Sequence, residues 1–173
     1  MANDQSLANY GYSIYQVGSE QYRLLQFGVI KLNSKTDYFE RMLQIQQVLD
    51  ELISSYKVEI FLAEEVQLQK NADTFRKLCY LLSFLRVYCY NRREQIQFYP
   101  PVAVNRWRKN CVRQILGLET GSKLELFNYL YNIMPAIQNT DQSDAVGLGI
   151  YMANELDINK GELRNGKLVN YKI

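Results

Sequence analysis

The strongest constraint on this chain is a change of hydrophobic rhythm near residue 34. Before it, Tyr10 to Val17 and Tyr22 to Leu32 are rich in Tyr, Ile, Leu and Val, with Gly18-Ser19-Glu20 between them. Two such runs split by a short turn-forming segment predict a β-hairpin. After it, the spacing becomes helical. Phe39, Met42, Leu43, Leu49, Leu52, Ile53 and Tyr56 fall largely on one face, behind a capping-box-like Ser34-x-x-Asp37. Val58 to Ala63 is a short apolar run of the kind that forms a buried strand. A second helix is expected from Ala72 to Asn91, with Phe75, Leu78, Cys79, Leu82 and Leu85 as its buried face. Gln95 to Tyr99 alternates like a strand and stops at Pro100-Pro101. A basic helix should follow, ending before Gly117. A helix from Ser122 to Ile133, closed by Pro135, comes next, and the last helix starts near Asp141 with Thr140 as its N-cap. This order implies an α/β fold: a mixed sheet covered by helices on both faces.

The 173 residues suit one domain, and no Pro- or Gly-rich linker divides them. Asn165-Gly166 favours a hairpin turn in a C-terminal tail, residues 157–173, beyond a main domain of residues 1–156. No stretch approaches the roughly 18 apolar residues of a membrane span. Met1-Ala2-Asn3-Asp4 has neither the basic nor the apolar part of a secretory leader, so a cytoplasmic location and no membrane partner are expected. Cys79, Cys89 and Cys111 are odd in number and lack metal-ligand spacing, which makes them buried thiols of a reducing compartment.

The absence of histidine removes most enzyme chemistry. Ser-His-Asp and Cys-His nucleophiles, His-ligated zinc and a His general base are all excluded. Charge placement narrows the rest. Lys70 to Arg113 holds ten basic residues and two acids, so this segment carries +8 while the remainder carries −6. Such a block either binds a polyanion or is a solvated helix surface. Four acids stand out by position. Asp4 precedes the hairpin, Glu64 ends the apolar run with Glu65 beside it, and Asp141 and Asp144 share one face of the last helix. Each alone has an ordinary explanation in a helix dipole, a solvated strand end or a terminal segment. Together, carboxylates from different elements are what hard cations need. Two such cations about 3.5–4 Å apart activate water and stabilise the leaving oxygen in phosphodiester hydrolysis.

The motifs carry a family resemblance. Glu64-Glu65-Val66-Gln67-Leu68-Gln69-Lys70-Asn71-Ala72-Asp73, Asp141-Gln142-Ser143-Asp144-Ala145, and Asp4-Gln5-Ser6 followed by Gly11-Tyr12-Ser13-Ile14 occur in one order and at fitting separations. Over roughly residues 4 to 155 the sequence resembles the RuvC-type Holliday-junction resolvases of the ribonuclease H-like superfamily, most closely their phage-encoded branch. The resemblance implies a mixed five-stranded sheet and a structure-selective, metal-dependent endodeoxyribonuclease. It implies Asp4, Glu64, Asp141 and Asp144 as catalytic metal ligands, with Mg²⁺ as cofactor and Mn²⁺ able to substitute. Lys70, Asn71, Arg76, Lys77, Arg106, Lys109 and Lys123 would bind DNA. The partners would be branched DNA, four-way junctions and forks, and a second copy of the chain. The homodimer would use the Ala72–Asn91 helix, whose Phe84, Val87, Tyr88 and Tyr90 lie partly off the core stripe. If phage-encoded, the chain would work in the host cytoplasm.

Departures are specific. Only Met1-Ala2-Asn3 precedes the first acid, with Asn3 where a buried apolar residue is expected. Gln5-Ser6 stands for the family's common Pro-Gly, and Gln67 for an aromatic that stacks on bases. Trp107, among Arg106, Arg108 and Lys109, either stacks on a base or packs against the sheet. Rival readings are a nuclease acting on RNA–DNA hybrids, flaps or forks, and a non-catalytic nucleic-acid-binding protein.

Overall fold

The computed structural model describes residues 1–18 and 22–159. Five strands form one sheet: β1 (Ala2–Asp4), β2 (Asn9–Val17), β3 (Tyr22–Lys31), β4 (Ile60–Ala63) and β5 (Gln97–Phe98), in the order β3-β2-β1-β4-β5. β1–β2 and β2–β3 pair antiparallel, and β1–β4 and β4–β5 pair parallel. The sheet is therefore mixed, as the element order predicts. Part of the expected hairpin turn (Ser19 and Glu20) and Asn165-Gly166 lie outside the described residues.

The short central strands are buried from both sides because helices cover both faces. α1 (Tyr38–Tyr56) and α2 (Ala72–Tyr90) pack on one face around Tyr10, Ile14 and Phe61. The other face is covered by α3 (Val104–Lys109), which runs on as a π-helical turn (Asn110–Ile115), by α4 (Lys123–Ile133) and by α5 (Thr140–Asn159). Trp107, Leu126, Leu130 and Val146 are fully buried there against Leu62 of β4. Trp107 thus packs against the sheet.

Several local expectations are corrected. Asp37, not Ser34, caps α1, its carboxylate accepting from the Phe39 amide at 2.8 Å. The buried stripe of α1 is Met42, Ile45, Leu49 and Ile53, whereas Phe39 and Leu43 are 61% and 55% exposed. The 3–4 spacing through Ile45 sets the inward face, and counting every apolar residue blurs it. α2 is rotated likewise. Leu81, Leu85, Tyr88 and Cys89 are buried, and Tyr88 donates to Asp50 Oδ1 at 2.7 Å. Tyr88 therefore belongs to the core, and the apolar residues that α2 shows to solvent are Tyr80, Val87 and Tyr90. The last helix starts at Thr140, and Asn139 acts as its cap by accepting from the Gln142 amide at 3.0 Å. That helix continues to Asn159.

α5 lies unusually close to the sheet. Ser13 donates to the Ala145 carbonyl at 2.6 Å and the Tyr15 hydroxyl to the Val146 carbonyl at 3.1 Å. Gly11 of β2 permits this approach, because a Cβ there would stand 2.6 Å from the Asp141 carbonyl oxygen. Among the described residues no helix is long and apolar enough to cross a membrane.

Candidate active site

One end of the sheet gathers the acids. β1 and β4 are parallel neighbours, so Asp4 and Glu64 leave the sheet at the same end. Asp4 pairs across to Gly11, against which the Asp141 backbone of α5 is seated. Asp141 and Asp144 occupy the first turns of that helix.

Short β1 ends at Asp4, and the side chain of Gln5 continues its ladder. Its Oε1 accepts from the Glu64 amide at 3.0 Å, and its Nε2 donates to the Glu64 carbonyl. The Glu64 amide also donates to the Asn3 carbonyl, and Val102 bridges Glu64 from the β5 side. Asn3, fully buried, donates from Nδ2 to the Leu62 carbonyl at 3.0 Å, which is how a polar residue is accommodated at an apolar position. The backbone under Glu64 is thus fixed from both neighbours. Strand alternation turns Glu64 inward and leaves Glu65 exposed.

The carboxylates are electrostatically strained. Burial first, then the charges of Glu64 and Asp144, push Asp4 well above the usual carboxylate range. Burial raises Glu64 to about 7, against the opposing hydrogen bond from the Trp107 indole N–H at 2.9 Å. Asp144, 2% exposed, is also raised by burial, although two cations oppose the shift. Those cations are Lys123, 2.8 Å from Oδ2 and 3.6 Å from Asp141 Oδ1, and Arg108, 3.1 Å from Asp144 Oδ2.

The four acids named from sequence therefore lie at the same end of the sheet, near enough for Glu64, Asp144 and Asp141 each to raise Asp4. Lys123 joins them because Ser122 caps α4, and Glu125 ties down the preceding loop by accepting from the Glu119, Thr120 and Gly121 amides. Lys109 flanks Gly121 in the same neighbourhood. Arg106 instead lies against the Tyr151 hydroxyl. Asn71 spends its side-chain oxygen capping α2, and Arg76 and Lys77 both pair with Asp73 at 2.5 Å. Lys70 is exposed.

Sequence reasoning named Gln5 and Trp107 without their bonds to Glu64, and missed Arg108 on Asp144. The phase of α3 was the available signal for the last two. Val104, Trp107 and Cys111 are spaced three and four apart and form the inward stripe. Arg108 borders that stripe, whereas Arg106 and Lys109 are exposed.

The donor set suits a hard divalent cation. Among the described residues no three carboxylates close on one point as ligands of a bound ion do. Yet Asp144 Oδ1 is buried without a hydrogen-bond partner, and burial holds three of the acids above their ordinary range, with repulsion from neighbouring acids adding to it at Asp4 and Glu64. Added positive charge would relieve both.

The chain matches the family model of crossover junction endodeoxyribonuclease RuvC over residues 1–151. A relative of that name from Rickettsia bellii is 26% identical over 153 residues, covering 84% of this chain and 90% of the relative. Another from Alkaliphilus metalliredigens is 24% identical over 151 residues, covering 87% and 90%. Among solved structures, Thermus thermophilus RuvC in complex with a Holliday junction substrate superposes with a TM-score of 0.66 at 16% identity, covering 92% of this chain and 94% of that one. The yeast mitochondrial Holliday junction resolvase Ydc2 gives 0.55 at 14%, covering 91% and 80%. Both likenesses show the ribonuclease H-like fold.

Proposed function

The chain belongs to the crossover junction endodeoxyribonuclease RuvC family, metal-dependent nucleases that resolve Holliday junctions, and from that premise we propose that its cleavage site is the cluster of Asp4, Glu64, Asp141 and Asp144. The observation that carries this reading is that those four acids, from β1, β4 and α5, lie within electrostatic reach of one another, with Asp144 Oδ1 buried and unpartnered. They would hold two divalent cations, Mg²⁺ with Mn²⁺ as a substitute. When bound, the cations supply Lewis-acid activation of water and neutralise charge on the phosphate and the leaving oxygen.

The protein's own groups set up the rest. Gln5 and the two neighbouring strands fix the Glu64 backbone. Lys123 and Arg108 balance the acids in the metal-free protein. With cations in place, both are free to turn toward a DNA phosphate, Arg108 through a planar fork that suits phosphate oxygens. Lys109, beside Gly121, extends this positive rim. Gln67, exposed after β4, offers no aromatic face to an unpaired base. Recognition therefore rests on backbone charge and junction shape more than on base stacking.

A junction is roughly two-fold symmetric, so paired cuts need two sites and an isologous dimer supplies them. The exposed Tyr80, Val87 and Tyr90 of α2 support a dimer face there. The proposed setting is the cytoplasm.

The test is cleavage of a labelled four-way junction beside a fork, a flap and an RNA–DNA hybrid, with Mg²⁺ or a chelator. Paired nicks in the junction, lost on chelation, support the reading. Preference for the hybrid or the flap would move the substrate, and no metal-dependent cleavage of any of them would leave only DNA binding.

A further inference from the structure

Trp107 is the only tryptophan of the chain, fully buried, and it contacts one of the acids directly and a second through Arg108. A buried indole N–H needs an acceptor. Here the acceptor is Oε2 of Glu64, at 2.9 Å, rather than a backbone carbonyl. The ring face carries a second contact: the Arg108 guanidinium lies 4.9 Å from its centroid and reaches Asp144 Oδ2 at 3.1 Å. The ring's own position is fixed from below. Trp107 packs into the core with Leu126 and Val146, and a Cβ on Gly147 would come within 3.1 Å of Cζ3. α5 therefore carries a residue without a side chain where the indole must fit. The Glu64 backbone is clamped by Gln5, Asn3 and Val102, but among the described residues the only hydrogen bond to its carboxylate comes from this indole.

We propose that Trp107 is the positioning residue of the metal site: its N–H holds the Glu64 carboxylate toward Asp4 and Asp144, and its ring face holds Arg108 on Asp144. The inference rests on the reading of these acids as metal ligands. Trp107 itself touches neither cation nor DNA. It acts through Glu64, and a hydrogen-bonded partner of this kind typically contributes about 10–100-fold to metal affinity or activity.

Trp107→Phe is the informative variant, since it keeps most of the ring and its stacking face and deletes the N–H. Calorimetric titration of Mn²⁺ into the DNA-free full chain should show binding about 10–100-fold weaker in this variant than in the unmodified protein. In junction cleavage, the half-saturating Mg²⁺ should rise by the same factor while the rate at saturating Mg²⁺ stays within a few-fold. A merely structural tryptophan would lower the rate at every metal concentration instead. A second readout needs no substitution. Mg²⁺ added to the unmodified protein should change the emission of its sole tryptophan, saturating at the concentration that calorimetry gives. This readout decides the matter if Trp107→Phe fails to fold. Equal metal affinity in the two proteins, or an emission that ignores bound metal, overturns the inference and leaves the nuclease reading standing. If the unmodified protein binds no divalent cation, the metal-site reading falls, and this inference falls with it.

Discussion

Two acids of this chain each carry two cations, and their fates are opposite. Asp73, at the start of α2, pairs with Arg76 and Lys77, both at 2.5 Å. Asp144, on α5, pairs with Lys123 and Arg108 at 2.8 and 3.1 Å. Hydrogen bonds from its two cations hold Asp73 below the usual carboxylate range, out in solvent. Burial holds Asp144 above it in spite of its cations, with one oxygen left unpartnered. The same grouping is thus a relaxed surface contact at one place and a strained site at the other. What separates them is desolvation, and the charge of Asp144 in turn helps to raise Asp4 and Glu64. Strain of this kind is where a divalent cation gains most by binding.

The largest effect expected from this contrast is on the rate of cutting. Asp4→Asn, Glu64→Gln and Asp141→Asn should each slow junction cleavage at least ~100-fold, with junction binding preserved. Exposed Glu65→Gln should stay within a few-fold. A member of the first group that cuts at the normal rate leaves the proposed site.

Next comes assembly. Val87→Glu or Tyr90→Glu should give a monomer by light scattering and abolish paired cutting, while single nicks persist. Tyr88→Glu is not an equivalent test, because Tyr88 is buried against Asp50 and Arg92. A monomeric unmodified protein with full paired cutting would rule out the α2 interface.

A smaller effect concerns salt. Lys123→Ala, beside the acids, and Lys109→Ala, beside Gly121, should each flatten the slope of log K against log salt by about one unit. Arg76→Ala and Lys77→Ala, which share the one counter-charge of Asp73, should change it less. The reverse ranking would route DNA over the start of α2.

The smallest effect is on metal-free stability. Glu64 rises from its ordinary 4.5 to about 7 on folding, so the folded state binds more protons. Its contribution is present below pH 4.5 and lost as pH climbs to 7. In chelator, Glu64→Gln should flatten the fall in melting temperature over that window. Asp73 has the opposite sign, stabilising at neutral pH and losing that effect as pH falls through its lowered value. An unchanged pH profile in Glu64→Gln would remove the strain argument for that residue.

Much of this was legible from residues. Rhythm changes marked most strands and helices, because strand alternation and helical spacing are local. The four acids were legible because the family motifs have fixed spacing around them. What stayed hidden depends on rotation and on long-range pairing. The helical faces of α1 and α2 could not be phased from abundance of apolar residues, since Phe39 and Leu43 are exposed while Ile45 is buried. Gln5 reads as a poor substitute until β4 is placed beside it, where its amide supplies the missing rung. Arg108 was passed over for its neighbours Arg106 and Lys109, because only the packing of Trp107 reveals which cation of that run faces inward.

The most direct test compares the two ion clusters in one assay. Single-turnover cleavage of a four-way junction in saturating Mg²⁺ would be measured for Asp144→Asn and Asp73→Asn. The account predicts at least ~100-fold loss for Asp144→Asn, with binding intact, and a rate within a few-fold of the unmodified protein for Asp73→Asn. A near-normal rate for Asp144→Asn, or a loss of similar size for both, would contradict it.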